Sequence, residues 1–268
     1  MKKILLIAFA ATLFASASIA KDQLVVTGST TVLPIAQACA EAFMDANPGA
    51  DITVRGGGSG VGIAALIDGQ CHIAISSRDI KSKEIETARE KGIEVVEHTI
   101  AIDALAIIVN PKNKIANLTL DQIRAIYTAE IKNWKDLGGA NKSIVLVSRD
   151  VSSGTFEVFK EIVLKGDAVH ESAMKLASNQ AVATTISNTA DAIGYVGLGY
   201  VSSKVKSVKV DGVEASVATA QSKKYPITRG LHMYSNGTPT GTAKAYIDFI
   251  MSAEGQDMVS ELGFVPVK

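Results

Sequence analysis

The 268-residue chain lacks the features by which several large classes of protein are recognised. Basic and acidic residues number 27 each and no basic patch stands out, so nothing indicates nucleic-acid binding. Beyond the first twenty residues, no apolar run reaches the roughly 18 residues that a membrane-spanning helix needs. The four histidines are scattered and only two cysteines are present, which is a poor basis for a metal site. We therefore expect no nucleic acid, membrane span, metal or cofactor.

The N-terminus has the pattern of a secretory signal. Lys2 and Lys3 precede an apolar run over residues 4–14, and small residues follow as far as Ala20. This pattern predicts a signal peptide over residues 1–20, cleaved after Ala20, and export to the periplasm. No cysteine lies near the cleavage site, so no lipid anchor is expected there. Removal of the signal leaves 25 basic and 27 acidic residues.

Cys39 and Cys71 both remain in the exported chain. An even number of cysteines in an exported protein favours a disulfide bond, so we expect these two to be bonded. Two buried free thiols are the alternative.

A glycine-rich loop, residues 55–62, lies between a predicted strand at 51–54 and a predicted helix. Glycines let the backbone approach a ligand, and the N–H groups at a helix N-terminus favour an anion. The loop has no lysine for a nucleotide P-loop and no register for G-x-G-x-x-G. Valine stands where a nucleophile elbow around Ser59 needs glycine. Two interpretations remain: an anion-binding loop with Ser59 as its one hydroxyl, or a flexible turn.

Hydroxyl-bearing loops follow three other predicted strands. They are residues 27–31 after a strand at 24–26, residues 76–79 after a strand at 71–75, and residues 148–155 after a strand at 144–147. In open α/β sheets, ligands lie beyond the carboxyl ends of the strands, so these loops are expected to converge. Arg149 offers a planar fork to an oxyanion. Taken singly, each loop also fits ordinary helix capping, and Arg149 fits an exposed arginine.

Strands, loops and helices alternate along the chain, which predicts an α/β fold. The second half repeats the strand–loop–helix arrangement of the first, as expected if the two halves form opposite sides of one site. Separate short strands are expected around 95–96 and at 105–109, with an amphipathic helical stretch at 118–134. One final helix is expected at about 241–262.

Eight segments carry a family likeness that covers essentially the whole exported chain. In order they are VTGSTTVLPIAQ, RGGGSGVGI, ISSRDI, LTLDQIRAIYTAEIKNWKDLGG, SRDVSSGTFEVF, AIGYVGLGYV, YPITRGLHMY and GFVPV. Each is weakly specific alone, but together and in this order the sequence resembles the phosphate-binding periplasmic proteins that deliver phosphate to an ABC transporter.

The resemblance implies an α/β fold of two lobes, each a mixed sheet flanked by helices. Two crossing strands, near 105–109 and 228–233, would join the lobes, with the ligand in the cleft between them. Lobe I would comprise residues 21–106 plus 232–268, and lobe II residues 107–231. The protein would be a monomer and not an enzyme, and its partners would be inorganic phosphate and the membrane permease of the transporter.

The resemblance also implies which residues bind phosphate. They are Ser29, Thr30, Thr31 and Ser59 in the first lobe and Arg149, Ser153, Gly154 and Thr155 in the second. Position 78 departs from the best-known members, whose aspartate there accepts the proton of HPO4²⁻ and so excludes sulfate. We expect Arg78 to act instead as a second positive donor. Binding of sulfate, molybdate or tungstate is the alternative, and a secreted phosphatase is a more remote one.

Overall fold

The computed structural model describes residues 22–268, so the predicted signal peptide at 1–20 lies outside the described residues. The strands are β1 (Asp22–Gly28), β2 (Ala50–Gly56), β3 (Ile73–Ser76), β4 (Val95–Val109), β5 (Asn117–Leu118), β6 (Val145–Arg149), β7 (Met174–Leu176), β8 (Ala192–Gly197), β9 (Lys206–Val210) and β10 (Thr228–Asn236). The helices are α1 (Leu33–Ala46), α2 (Ser59–Ile67), α3 (Ser82–Glu90), α4 (Leu120–Tyr127), α5 (Gly154–Ile162), α6 (Asn179–Asn188), α7 (Val217–Gln221), α8 (Gly241–Ile250) and α9 (Ala253–Glu261). No helix within 22–268 has the length and apolar character needed to cross a membrane.

Eight strands lie side by side in the order β2-β1-β3-β10-β4-β8-β6-β7. On one side β1 is parallel to β2 and β3, and β10 is antiparallel to β3 and β4. On the other side β8 is antiparallel to β4 and parallel to β6, which is parallel to β7. Each side is a mixed sheet flanked by helices. This is the predicted two-lobed α/β fold.

The strand β4 carries the chain from one lobe to the other. It pairs with β10 as far as Ala104, which lies opposite Thr228, and from Leu105 to Val109 it pairs with β8. The prediction of two separate strands here was wrong, because residues 95–109 form one strand. Polar residues at 97–99 and 103 interrupt the apolar pattern in the sequence, yet pairing with β10 keeps the strand extended.

Three clusters of buried apolar residues form the core, one on each face of the lobe I sheet and one in lobe II. In lobe I, α1, α8 and α9 cover the face of the sheet that carries Ile73 and Ile75, whereas α2 and α3 cover the opposite face, which carries Ala74. In lobe II, Tyr127 and Phe159 pack around the last part of β4 and around β8. These cores fix the positions of the loops at the strand ends.

Cys39 and Cys71 are free thiols, so the predicted disulfide is wrong. Cys39 lies on α1 and packs in the core on one face of the lobe I sheet, whereas Cys71 packs in the core on the opposite face of the same sheet. The sheet therefore separates the two residues, whereas a disulfide requires Cα atoms within about 7 Å. Burial raises the pKa of Cys39 to about 12 and that of Cys71 to about 11, which makes both thiols poor nucleophiles.

Two predicted helices are shorter than the sequence pattern suggested. The helix α4 ends at Tyr127, and the chain soon turns through Ala129, whose φ is +63°. The predicted C-terminal helix is two helices, because Ser252 caps α9 by accepting a 3.2 Å hydrogen bond from the Gly255 N–H. Gly255 packs so closely on the carbonyl group of Ile250 that a side chain would not fit.

Candidate anion-binding site

The loop after β1 is shaped by its own hydrogen bonds. The Ser29 N–H donates to the Ile75 carbonyl at 2.7 Å, which fixes the loop against the end of β3. The Ser29 hydroxyl accepts from the Thr31 N–H at 3.1 Å. Gly28, with φ +143°, has no room for a side chain beside the Ile75 carbonyl. The predicted site residue Ser29 thus stabilises the turn that presents Thr30 and Thr31.

The N-terminus of α5 touches both loops of the opposite lobe. Thr155 Oγ1 lies 2.9 Å from Thr31 Oγ1. Gly154 packs so closely on Ser59 that a methyl group at position 154 would overlap the serine hydroxyl. Ser153 caps the helix with its hydroxyl, and all of these side chains are buried. One helix turn therefore brings five of the predicted residues together.

Ser59 begins α2 directly after the glycine-rich loop. Its hydroxyl accepts from the Ser77 N–H at 3.0 Å and lies 3.4 Å from the Ser77 hydroxyl. Gly60 donates its N–H to the Ser152 carbonyl of lobe II at 3.0 Å. A side chain at Gly58 would collide with Ser152. The glycines therefore let the lobes approach each other, and the loop is packed in place instead of forming a flexible turn.

Asn179, which the sequence analysis missed, connects lobe II to the same threonines. It is fully buried at the start of α6, and its Nδ2 donates to Thr30 Oγ1 at 3.1 Å and to Thr31 Oγ1 at 3.0 Å. Its Oδ1 accepts from the Gly197 N–H. The Tyr200 hydroxyl donates to the Thr30 carbonyl nearby. In the sequence, a serine–asparagine pair before a helix is the only signal, and it fits simple capping equally well.

Arg149 lies at the end of β6 with 1% of its surface exposed. Its Nε and Nη2 donate to the carbonyls of Leu176 at 3.0 Å and Ala177 at 2.9 Å. The Asp150 carboxylate is 3.8 Å from Nη2. Nη1 is buried and has no hydrogen-bond partner within residues 22–268. The guanidinium is thus held on one edge and has donors available on the other.

Arg229, a further buried arginine, lies on β10 and was not among the residues predicted from the sequence, although it belongs to the segment YPITRGLHMY. Its Nε and Nη2 bind Oδ2 of the buried Asp103 at 3.0 and 2.7 Å. Nη2 also lies 3.3 Å from Thr31 Oγ1. Its Nη1, like that of Arg149, is buried without a partner in the described part of the chain. Arg229 and Asp103 join the two crossing strands.

The electrostatics of the site favour an anion. Burial lowers the pKa of Arg149 and the Arg229 charge lowers it further, while Asp150 acts in the opposite direction. Burial raises the pKa of Asp103, although Arg229 and the Leu198 N–H favour its ionised form. Arg229 is paired with Asp103 and Arg149 lies 3.8 Å from Asp150, so each guanidinium meets a carboxylate while its Nη1 has no acceptor within residues 22–268. Their free N–H groups need acceptors, and an oxyanion supplies both acceptors and negative charge.

Arg78 does not join this group, contrary to our expectation. Its Nη1 and Nη2 donate to the two oxygens of Glu84 at 2.9 and 2.8 Å, and its Nε faces Glu157 Oε2 at 3.0 Å. Burial lowers the pKa of Arg78, but the two carboxylates outweigh this effect and raise it. The guanidinium is already neutralised by carboxylates. Arg78 Nε also makes no hydrogen bond of good geometry within residues 22–268, but it lies 3.0 Å from the Glu157 carboxylate, so its charge is paired. Arg229, not Arg78, is therefore the second arginine with an unpartnered Nη1.

The other polar groups of the site are hydrogen-bond donors suited to binding. The hydroxyls of Thr31, Thr155 and Ser59 contact only hydroxyl, amide or guanidinium groups in the described structure, with no histidine beside them. Residues 22–268 contain no group of three or more His, Cys, Asp or Glu side chains placed to hold a metal ion.

Comparison with known proteins identifies the family. A model described as a PBP superfamily domain matches residues 15–254. The phosphate-binding protein PstS of Bacillus subtilis is 36% identical over 250 residues, covering 92% of this chain and 82% of that protein. PstS of Borreliella burgdorferi is 35% identical over 253 residues, covering 90% and 88%.

A solved structure agrees with these sequence matches. It is a Clostridium perfringens protein with bound phosphate, described as a candidate phosphate ABC transporter substrate-binding protein. It is 36% identical and superimposes with a TM-score of 0.86, covering 92% of this chain and all of that one. The chain therefore belongs to the PBP superfamily and, within it, to the family of the phosphate-binding protein PstS.

Proposed function

We propose that the protein binds inorganic phosphate in the cleft between its lobes, outside the cytoplasm, and passes it to the permease of an ABC transporter. The observation that carries this proposal is the pair of buried Nη1 atoms of Arg149 and Arg229, which have no acceptor in the described chain. The relatives named phosphate-binding proteins support phosphate as the oxyanion.

The proposed binding set combines the sequence prediction with the two residues that it missed. It consists of Thr30, Thr31, Ser59, Arg149, Ser153, Gly154, Thr155, Asn179 and Arg229, with Ser29 supporting the first loop. Roughly eight hydrogen bonds to a charged group contribute about 12–24 kcal/mol in gross terms. A micromolar dissociation constant needs only about 8 kcal/mol. The difference offsets the desolvation of a dianion and two arginines and the closure of the lobes.

Several finer statements belong to the same proposal. We propose the lobe boundaries 21–106 plus 232–268, and 107–231. The apolar cores support this division except near the crossing strands, where residues 104–106 and Val265 pack in the lobe II core and Leu231 packs in the lobe I core. We also propose that the mature protein is a monomer in the periplasm after cleavage near Ala20, and that it binds phosphate without converting it. The family of substrate-binding proteins supports the last point.

Titration calorimetry with the purified mature protein tests this function. Phosphate, sulfate, molybdate and tungstate are titrated separately and in competition between pH 5 and 8. We expect sub-micromolar phosphate binding at pH 7 and displacement of the other anions by phosphate. If sulfate, molybdate or tungstate binds more tightly than phosphate, the proposal that phosphate is the ligand is wrong. A colorimetric phosphatase assay is run in parallel, and turnover at ordinary enzymatic rates would contradict a pure binding role.

The pH series also tests selectivity. Because Arg78 stands where the best-known members have a proton-accepting aspartate, the site lacks that means of excluding sulfate. Phosphate changes from mainly H2PO4⁻ to mainly HPO4²⁻ across this pH range, so a site that reads the proton will change its affinity with pH. We expect a smaller preference for phosphate over sulfate here than a site with that aspartate would show.

A further inference from the structure

A group of four charged residues crosses the cleft beside the anion site. Glu157, in the first turn of α5, places Oε2 3.0 Å from Arg78 Nε and 2.6 Å from Lys81 Nζ. Glu84, at the start of α3, holds the opposite edge of Arg78 at 2.8 Å. The Arg78 guanidinium therefore lies between two carboxylates, one from each lobe.

Short stretches of chain connect this group to the anion site. Arg78 directly follows Ser77, whose N–H binds the Ser59 hydroxyl. Glu157 lies two residues after Thr155 in the same helix. Because a helix moves as one body, the contact of Thr155 with Thr31 and the contact of Glu157 with Arg78 form and break together.

Of the two ion pairs of Arg78, only the one with Glu157 depends on closure of the lobes. Arg78 is 6% exposed and Glu157 is 20% exposed, so their attraction is less weakened by water than that of a surface pair. Glu84 belongs to the same lobe as Arg78 and stays with it when the lobes separate. Glu157 loses both Arg78 and Lys81 in that movement. Contacts made in only one of two conformations shift the equilibrium towards that conformation.

We propose that Glu157 is a positioning residue that raises the affinity for phosphate by holding the lobes closed through Arg78 and Lys81. It acts on the lobes, without a hydrogen bond to the anion. This inference rests on the proposed function and deepens it. It also gives position 78 a different task from the donor role that the sequence suggested, because Arg78 binds the opposite lobe instead of the ligand.

The direction in which one substitution changes the phosphate affinity separates this role from a simple electrostatic effect on the anion. A carboxylate near an anion site repels the anion, so its neutralisation alone would strengthen phosphate binding. If Glu157 holds the lobes closed, Glu157→Gln weakens binding instead. We expect a dissociation constant about tenfold higher, within the usual range of coupling between sites. The control is Glu161→Gln, one turn along the same helix, where the carboxylate is exposed and forms no ion pair within residues 22–268.

The experiment measures phosphate affinity by titration calorimetry for wild type, Glu157→Gln, Glu161→Gln, Lys81→Met and the Lys81→Met/Glu157→Gln double variant. Glu161→Gln should bind as wild type does. Lys81→Met should weaken binding about threefold in the wild-type background and have no further effect in the Glu157→Gln background. Thermal unfolding without phosphate checks that each variant is folded. Unchanged or tighter binding by Glu157→Gln, or additive effects of the two substitutions, would overturn the proposal.

A readout that does not depend on phosphate keeps this test separate from the test of function. Small-angle X-ray scattering of the ligand-free proteins should give a larger radius of gyration for Glu157→Gln than for wild type and Glu161→Gln. If wild type fails to bind phosphate, the proposed function fails, and the scattering comparison still decides whether Glu157 holds the lobes together. Equal radii for all three ligand-free proteins would reject the role of Glu157.

Discussion

Replacement of Arg149 by methionine should abolish tight phosphate binding while leaving the folded protein almost as stable as before. The side chain is buried and fixed by the carbonyls of Leu176 and Ala177, so the protein itself holds the free Nη1 edge in place. Methionine reproduces the aliphatic stem of arginine without the guanidinium and its charge. The substitution therefore removes donors from the site while changing the packing little.

The magnitude follows from the two N–H groups on Nη1. Hydrogen bonds to a charged partner contribute about 1.5–3 kcal/mol each, so the loss of two weakens binding by about 3–6 kcal/mol. This corresponds to roughly a hundredfold to ten-thousandfold increase in the dissociation constant. Stability of the ligand-free protein responds to opposing effects. Two hydrogen bonds to carbonyls are lost, whereas a buried charge that Arg229 repels is removed. The two lost bonds cost about 3–6 kcal/mol, and relief of the desolvation of a buried charge gains back several kcal/mol, so we expect a net change of no more than about 2 kcal/mol in the free energy of unfolding.

Calorimetric titration gives the affinity, and urea unfolding without phosphate gives the stability. The control is Arg124→Met, which removes a surface arginine of the same lobe paired with Asp167 and should change neither quantity much. Phosphate affinity within threefold of wild type for Arg149→Met would refute the site. A large loss of ligand-free stability would show that Arg149 is mainly a structural residue.

Three further predictions concern other parts of the molecule. Gly154→Ala should weaken phosphate binding more than tenfold in calorimetry, because its methyl group would collide with the Ser59 hydroxyl and keep the lobes apart; an unchanged affinity would contradict this packing. A thiol reagent at pH 8 should label Cys39 and Cys71 only after unfolding, since burial raises the pKa of both; rapid labelling of the native protein would refute it. Burial alone would raise the pKa of Glu84, but Arg78 and Lys81 outweigh burial and lower it in the folded protein. The ionised Glu84 therefore stabilises the fold above its unfolded-state pKa of about 4.3, and this stabilisation is lost as the pH falls through the lower pKa of the folded state. The difference in urea stability between wild type and Glu84→Gln should therefore shrink on acidification, and a difference that grows would have the wrong sign.

Local sequence patterns predicted most of the fold because each element carries its own signal. Strand–loop–helix units with apolar strands and glycine or hydroxyl loops were correctly placed for β1, β2, β3 and β6. The local patterns gave wrong predictions where contacts between distant parts of the chain determine the structure. The strand β4 stays extended through its polar residues at 97–99 and 103, because β10 pairs along it. Cys39 and Cys71 satisfy the counting argument for a disulfide, but the sheet between them is a property of the fold and not of the spacing.

The loops of the site were predictable, whereas the partners of the arginines were not. Ser59, Arg149 and Thr155 each follow a strand, so the rule that ligands lie beyond strand ends selects them. Arg229 lies inside a strand, and no loop motif marks it. Arg78 does follow a strand, yet Glu84 and Glu157 bind it first. Sequence position shows that an arginine reaches the cleft, but not which charge it meets there.

Ionic strength should separate the two electrostatic parts of this cleft. We call the charged group of Arg78, Lys81, Glu84 and Glu157 that crosses the cleft the bridge, and its four charges sum to zero. The Lys81 side chain is 55% exposed, so dissolved ions reach it. The screening length falls from about 10 Å at 0.1 M salt to about 3 Å at 1 M, and exposed pairs weaken most. Arg149 is buried, so salt affects its contact with a bound anion much less. Part of the loss of phosphate affinity at high salt therefore arises from the bridge, and the affinity of Glu157→Gln should fall less with salt than that of wild type. If both proteins lose affinity equally, closure does not depend on the bridge, and the arginines of the site account for the whole electrostatic contribution.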